Sequence, residues 1–124
     1  MKLQGEIEYS ITKQSSEYVQ AEMPVRAGIL NPDGVVNPGA MLWFADACAT
    51  VLAYEGNDLI SGIAGILTGI GINADIVGNQ NDGVLKGISR LVKNDSKLST
   101  VHPIITGNGD QLIAEITTSY IVAR

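Results

Sequence analysis

The chain predicts an α+β architecture in which an antiparallel sheet of about six strands wraps one long helix. Three observations carry this. Residues 37–54 form one apolar run in which Asp46 is the only charged side chain. The segments on either side alternate apolar and polar residues in the two-residue rhythm of half-buried strands. The later strands are joined by short turns rich in Gly, Asn and Asp, and short connections favour antiparallel neighbours.

In order, Ile7, Tyr9 and Ile11 alternate with Glu6, Glu8 and Ser10, predicting a strand. Lys13 to Ser16 reads as a turn. Val19, Ala21, Met23 and Val25 against Tyr18, Gln20 and Glu22 predict the second arm of a hairpin. Residues 26–36 are loop. Asn37-Pro38 is a helix start: Asn suits the cap, and Pro suits the first helical position because its missing N–H has no helical partner there. The helix is expected to stop near Glu55-Gly56-Asn57. After Gly62 and Gly65, Ile66, Thr68, Ile70, Ile72, Ala74 and Ile76 mark one face of a long strand, and Gly69, Gly71, Asn73 and Asp75 the other. A turn at 78–83, a strand at 84–92, a turn at 93–97 and a strand at 98–106 follow. Pro103 has no N–H for a ladder, so it is expected at an edge, bulge or bend. A turn at 107–110 leads to a last strand at 111–122, with Leu112, Ala114, Ile116, Tyr120 and Val122 on one face. The strands after the helix are expected to form a four-strand meander.

Length and charge bound the function. The 124 residues make one domain, 1–124. Eight basic residues against 13 acidic give a net charge of −5 with no basic cluster, which argues against nucleic acid as a partner. The apolar run is shorter than the ~20 residues a membrane helix needs and carries Asp46 midway, so no membrane association is expected. The start MKLQGEIEYS has acidic residues where a secretion signal would be apolar. Cys48 is the single cysteine and has no internal disulfide partner, which fits a reducing, cytoplasmic setting. It reads as a small buried hydrophobe rather than a nucleophile. His102 is the single histidine and reads as a surface or packing residue; no metal site and no cofactor are expected.

Asp46 is the focus for chemistry. A carboxylate in a helix wrapped on all sides bears a desolvation cost unless it is paired, hydrogen-bonded or protonated. Such a residue is either a structural anchor bonded to a backbone or hydroxyl partner, or a working acid, base or nucleophile. One small sheet is also thin cover for a helix apolar on every side, so dimerisation is expected to cover more of it.

Asn31, Asn37 six residues later, and Asp46 nine residues after that within Phe44-Ala45-Asp46 together resemble the hotdog-fold acyl-CoA thioesterases of the phenylacetate-pathway and 4-hydroxybenzoyl-CoA branch. In that pattern a loop Asn precedes a His-Gly-Gly at the helix start, and an acidic residue follows within Leu-Ala-Asp. Here Asn37-Pro38-Gly39 stands for His-Gly-Gly, and Thr68 resembles the family's Ser or Thr on the long strand after the helix. The resemblance spans the chain in element order and is motif-grade over 31–46. It implies a hotdog fold, with active sites between the subunits of a homodimer or a dimer of dimers. It implies Asp46 as nucleophile or general base, and Gly39 with Ala40 at the helix N-terminus as the oxyanion site. It further implies Asn31 and Asn37 positioning the carbonyl, Thr68 holding water and Trp43 lining an acyl pocket or packing in the core. The ligand would be a small or medium acyl-CoA thioester, aromatic ones included, with coenzyme A as part of the substrate. Lys86, Arg90, Lys93 and Lys97 either meet its phosphates or form a solvated face.

Two departures set up a second expectation. Pro38 replaces the Gly whose N–H would face the oxyanion, and Pro has none. Asn37 donates hydrogen bonds but does not shuttle protons near neutral pH. A non-catalytic hotdog protein that binds an acyl-CoA-like ligand is therefore the alternative, and a purely structural module in which Asp46 anchors a dimer is the third reading. Asn37 as plain helix cap, Asn31 as plain loop residue and Thr68 as plain strand residue stand beside their functional readings.

Overall fold

The computed structural model describes residues 6–57, 66–94 and 98–123. Ser10–Gln14 (β1) and Tyr18–Pro24 (β2) form the hairpin, and Pro38–Asn57 is the helix α1. Ile66–Ile76 (β3), Val84–Asn94 (β4), Leu98–Thr106 (β5) and Leu112–Ala123 (β6) follow. The six strands make one antiparallel sheet in the order β1-β2-β4-β5-β6-β3. This is the hotdog arrangement the resemblance implies. Ile7 and Tyr9, expected in the first strand, precede β1. Gly62, Gly65 and the Lys97 end of the 93–97 turn lie outside the described residues.

The expected four-strand meander is corrected. Only β4, β5 and β6 are consecutive neighbours, and β3 crosses to the far edge to pair with β6, Ile76 opposite Ala114. The reason lies in the hairpin. β2 already occupies the free side of β4 through Val19↔Ser89, Ala21↔Gly87 and Met23↔Leu85, so a short connection from β3 does not make the two strands neighbours. Pro103 stands in central β5 and not at an edge. The ladder to β6 runs Val101↔Thr118 and then Ile104↔Glu115, so pairing lapses around Pro103 without changing register.

α1 buries two adjacent rows: Ala40, Met41, Phe44, Ala45, Cys48, Ala49, Leu52 and Ala53. They meet Val19, Ala21 and Met23 of β2, Leu85 of β4 and Val101 and Ile105 of β5. Burying each large side chain of this set stabilises the fold by about 1.5–3 kcal/mol. Phe44 Cε2 and Cζ lie over Gly87; a Cβ there would sit 3.1 Å from each, so the glycine is what lets the helix approach the sheet.

The expectation that the helix is covered on every side is corrected too. Pro38, Gly39, Trp43 and Asp46 are exposed and Leu42, Ala47, Thr50 and Val51 are half-buried, so an open stripe runs along α1. Sequence patterning missed it because most residues on that stripe are apolar. The helix leans on β2, β4 and β5 and touches β3 little. Ile72 and Ile76 consequently remain 46% and 37% exposed, although they are in register with the buried Thr118 and Ala114. No helix among the described residues is long and apolar enough to cross a membrane.

Candidate functional site

The helix start is held by a closed set of hydrogen bonds. Leu30 and Val36 bridge, and the loop between them folds around Asn31, whose Oδ1 accepts from the N–H groups of Asp33 (3.0 Å) and Val35 (3.3 Å). Asn37 N–H donates to Ile29 O at 2.8 Å. Asn37 Oδ1 accepts from Gly39 N–H at 3.0 Å, the geometry of an N-cap, and Ala40 N–H donates to Asn37 O at 2.9 Å. With Pro38 lacking an N–H, the amides expected to face an oxyanion are engaged within the chain. In both Asn31 and Asn37 the oxygen is committed to backbone donors, which orients the side-chain amide and leaves its NH2 pointing elsewhere.

Sequence reasoning missed the clamp behind this loop. Asn79 accepts from Val36 N–H at 3.0 Å and donates to Val36 O at 2.9 Å, mimicking a paired strand. Gln80 Oε1 accepts from Asn108 N–H at 2.8 Å, and its Nε2 donates to Asp82 O at 2.8 Å. The 78–83 segment read as a turn is therefore also the block that seats the helix start. A run of amide side chains in a short turn was the available signal, since such side chains bond backbone.

Asp46 emerges in the middle of the open stripe. Its expected enclosure is corrected: the carboxylate is exposed in the single chain, because the sheet curls round only one side of α1. It does have a partner. Tyr120 OH donates to Asp46 Oδ1 at 2.6 Å and lies 3.2 Å from Asp46 O. Among the described residues Oδ2 has no hydrogen bond. The Tyr120 ring is 3% exposed at the core-facing end of β6. Burial pushes its phenol up to about 12, with the bond to Asp46 adding to the rise and the nearby Thr50 and Thr118 hydroxyls opposing it. The anchor reading of Asp46 called for a hydroxyl partner, and Tyr120 supplies one. The signal for it was a tyrosine on the inward face of the last strand, whose O–H needs an acceptor.

The other predicted residues are dispersed. β3 carries a bulge between Gly69 and Gly71, which pairs Thr68 with Ile121 and Gly69 with Tyr120. It is therefore Gly69 that shares a row with the Asp46 partner, while Ile121 is exposed; the Thr68 side chain lies outside the described ones. Trp43 is corrected from core to surface: it is 42% exposed and packs edge-on against Tyr9 with ring centroids 5.1 Å apart. Lys86 and Arg90 project from exposed positions of β4, and Lys93 is exposed near its end. Lys86 borders a shallow groove of about 230 Å³ with Thr12, Gln20, Glu22, Ile88 and Thr106, remote from Asp46. Cys48 is buried, which pushes its thiol up to about 12 and keeps it unreactive. His102 is half-buried beside Arg90. No group of metal-ligating side chains occurs among the described residues.

Solved structures share this architecture. A putative esterase from Mycobacterium tuberculosis superposes with a TM-score of 0.86 at 19% identity, over 94% of this chain and 91% of that one. A hypothetical thioesterase from Streptococcus pneumoniae, solved with coenzyme A, gives 0.83 at 15% identity over 94% and 86%. A thioesterase from Haemophilus influenzae gives 0.84 at 16% over 94% and 78%. At these identities the likeness establishes the hotdog fold. No protein-family model and no curated sequence matches the chain.

Proposed function

We propose that this protein is a homo-oligomeric hydrolase of the acyl-CoA thioesterase kind, acting on small or medium acyl-CoA thioesters, aromatic ones included, in a cytoplasmic setting. The observation that carries the reading is Asp46: a lone carboxylate at mid-helix with one oxygen tied to Tyr120 and the other without a hydrogen bond among the described residues, on an open, mostly apolar stripe. That second oxygen either takes a proton from water as the resulting hydroxide adds to the thioester carbonyl, or attacks that carbonyl itself. Collapse of the tetrahedral adduct breaks the C–S bond and expels the thiolate, which is protonated by the Asp46 carboxylic acid in the first route and by solvent in the second. In the second route water then hydrolyses the acyl–Asp46 anhydride to free the acid. The neighbours' names, and the coenzyme A bound to one of them, support this substrate class.

The carbonyl donor falls to the side-chain NH2 groups of Asn37 and Asn31 instead of the Gly39 and Ala40 amides, which reach a substrate only if the Asn37 cap opens. Trp43 lines the acyl side of the stripe. A second copy of the chain supplies the missing cover. β3 is an 11-residue edge strand whose outer side is unpaired among the described residues, and such edges attract another strand. Ile72, Ile76 and Val77 add exposed apolar surface on and next to it, and Trp43 adds more on α1.

The test is thiol release from acetyl-, hexanoyl-, phenylacetyl- and benzoyl-CoA, read in parallel with thermal shift and with light scattering for mass. Release by the wild type, its loss in Asp46→Asn and a mass of two or four chains are the expected results. Stabilisation by these esters without release would instead support the ligand-binding reading, which the closed helix start favours. Neither release nor stabilisation, or a monomer at every concentration, would remove both.

A further inference from the structure

Tyr120 has no assigned role, yet it is the residue that decides where the Asp46 carboxylate points. An exposed aspartate on a helix ordinarily samples several rotamers, and an unanchored base is a poor one because its reacting oxygen is seldom in place. Here a phenol rooted in the core reaches across from β6 and closes a 2.6 Å hydrogen bond to Oδ1, a length typical of a charge-assisted O–H···O⁻ contact. The same hydroxyl lies 3.2 Å from the Asp46 carbonyl oxygen, so side chain and backbone of the helix are referenced to one point. Thr118, two residues before Tyr120 on β6, is buried and its hydroxyl donates to Val101 O, so the phenol's two bonds among the described residues both run to Asp46. Opposite Tyr120 on β3 stands Gly69, which brings no side chain to compete for the carboxylate.

We propose that Tyr120 is the positioning residue of the site: it fixes the Asp46 carboxylate by Oδ1 and presents Oδ2 to the substrate side of the stripe. The inference rests on the thioesterase reading for its catalytic consequence, but the positioning itself is measurable without turnover.

The experiment compares the full-length wild type with Tyr120→Phe, which keeps the buried ring and removes only the hydroxyl. Side-chain scalar couplings should show one Asp46 χ1 rotamer in the wild type and averaging in Tyr120→Phe. A downfield, slowly exchanging hydroxyl proton should vanish in the variant. On whichever CoA ester the wild type hydrolyses, kcat should fall by ~10–100-fold with KM unchanged. A single retained rotamer, or unchanged kcat in an active enzyme, would overturn the proposal. If no ester is hydrolysed, the thioesterase reading falls while the couplings still decide the positioning. Should Tyr120→Phe fail to fold, Asp46→Asn provides the reciprocal reading. The Tyr120 phenol, followed by ultraviolet titration, should drop from about 12; no drop would count against the coupling.

Discussion

Two neighbouring regions of this molecule treat their polar groups in opposite ways. Around the helix start, the side chains of Asn31, Asn37, Asn79 and Gln80 each bond backbone, and Asn108 Nδ2 donates to Asp82 Oδ1, so this polar-rich segment closes on itself. Along the open stripe of α1 there are few polar groups, and Asp46 keeps one oxygen without a hydrogen bond among the described residues. The segment that looks most like a binding loop in sequence is thus largely scaffold, while the apolar stretch holds the reactive group. Abundance of polar residues marks where backbone needs partners; scarcity marks where a single charge has consequences.

The contrast breaks most sharply at Asp46. Asp46→Asn should lower thiol release by ~10²–10⁴-fold, the range expected when a base is removed, with the melting temperature little changed because the residue is exposed. A large stability loss with activity retained would invert the roles of the two regions. On the scaffold side, Asn79→Ala leaves the buried Val36 carbonyl without its partner, while the Val36 N–H keeps Gln80 O at 3.3 Å. Urea unfolding should show a loss of ~1–3 kcal/mol, the cost of one unsatisfied buried group.

Alkaline stability should report the closed side of the helix. Cys48 and Tyr120 both have folded values near 12, above their ordinary 9.0 and 10.0, so the folded chain keeps protons that the unfolded chain has released. Their stabilisation is complete below about pH 9 and is lost as pH rises from there through about 12. Denaturation across that range should show the decline, and Cys48→Ala should delay its onset to about pH 10, where Tyr120 and Tyr9, whose phenol is also raised by burial, contribute. The smallest and most discriminating change is Asn37→Ser. Serine caps a helix about as well as asparagine, so stability should move by less than about 0.5 kcal/mol. The NH2 donor is lost, however, and thioester turnover should fall if that group holds the carbonyl. Unchanged kinetics would reduce Asn37 to a cap and place it wholly with the scaffold.

Much of this was legible beforehand. Asn37-Pro38 marks the helix start because cap and first-position chemistry are local. The spans of the strands after the first follow closely from two-residue alternation, whereas the Ile7–Ile11 alternation falls mostly before β1. Asp46 stands out because one charge among apolar neighbours is visible without coordinates. Other features were not legible. β3 is bulged between Gly69 and Gly71, and one extra residue reverses which face every earlier position occupies, so the inward reading of Thr68 rested on an alternation that the bulge interrupts. Trp43 reads as core or as the lining of an acyl pocket and sits on the open stripe, since its apolarity does not tell which partner covers it.

What the linear chain determined by itself is the set of local decisions: where the helix is capped, where strands alternate, and that a single carboxylate falls within an apolar run. Those depend on backbone chemistry and short-range periodicity. Only the tertiary structure decided that β3 crosses to β6, that Tyr120 meets Asp46 across 74 positions of sequence, and that one side of α1 is left open. Strand order and side-chain partnership are settled by which edges and faces are already occupied when the pieces pack, and that competition leaves no periodic trace in sequence.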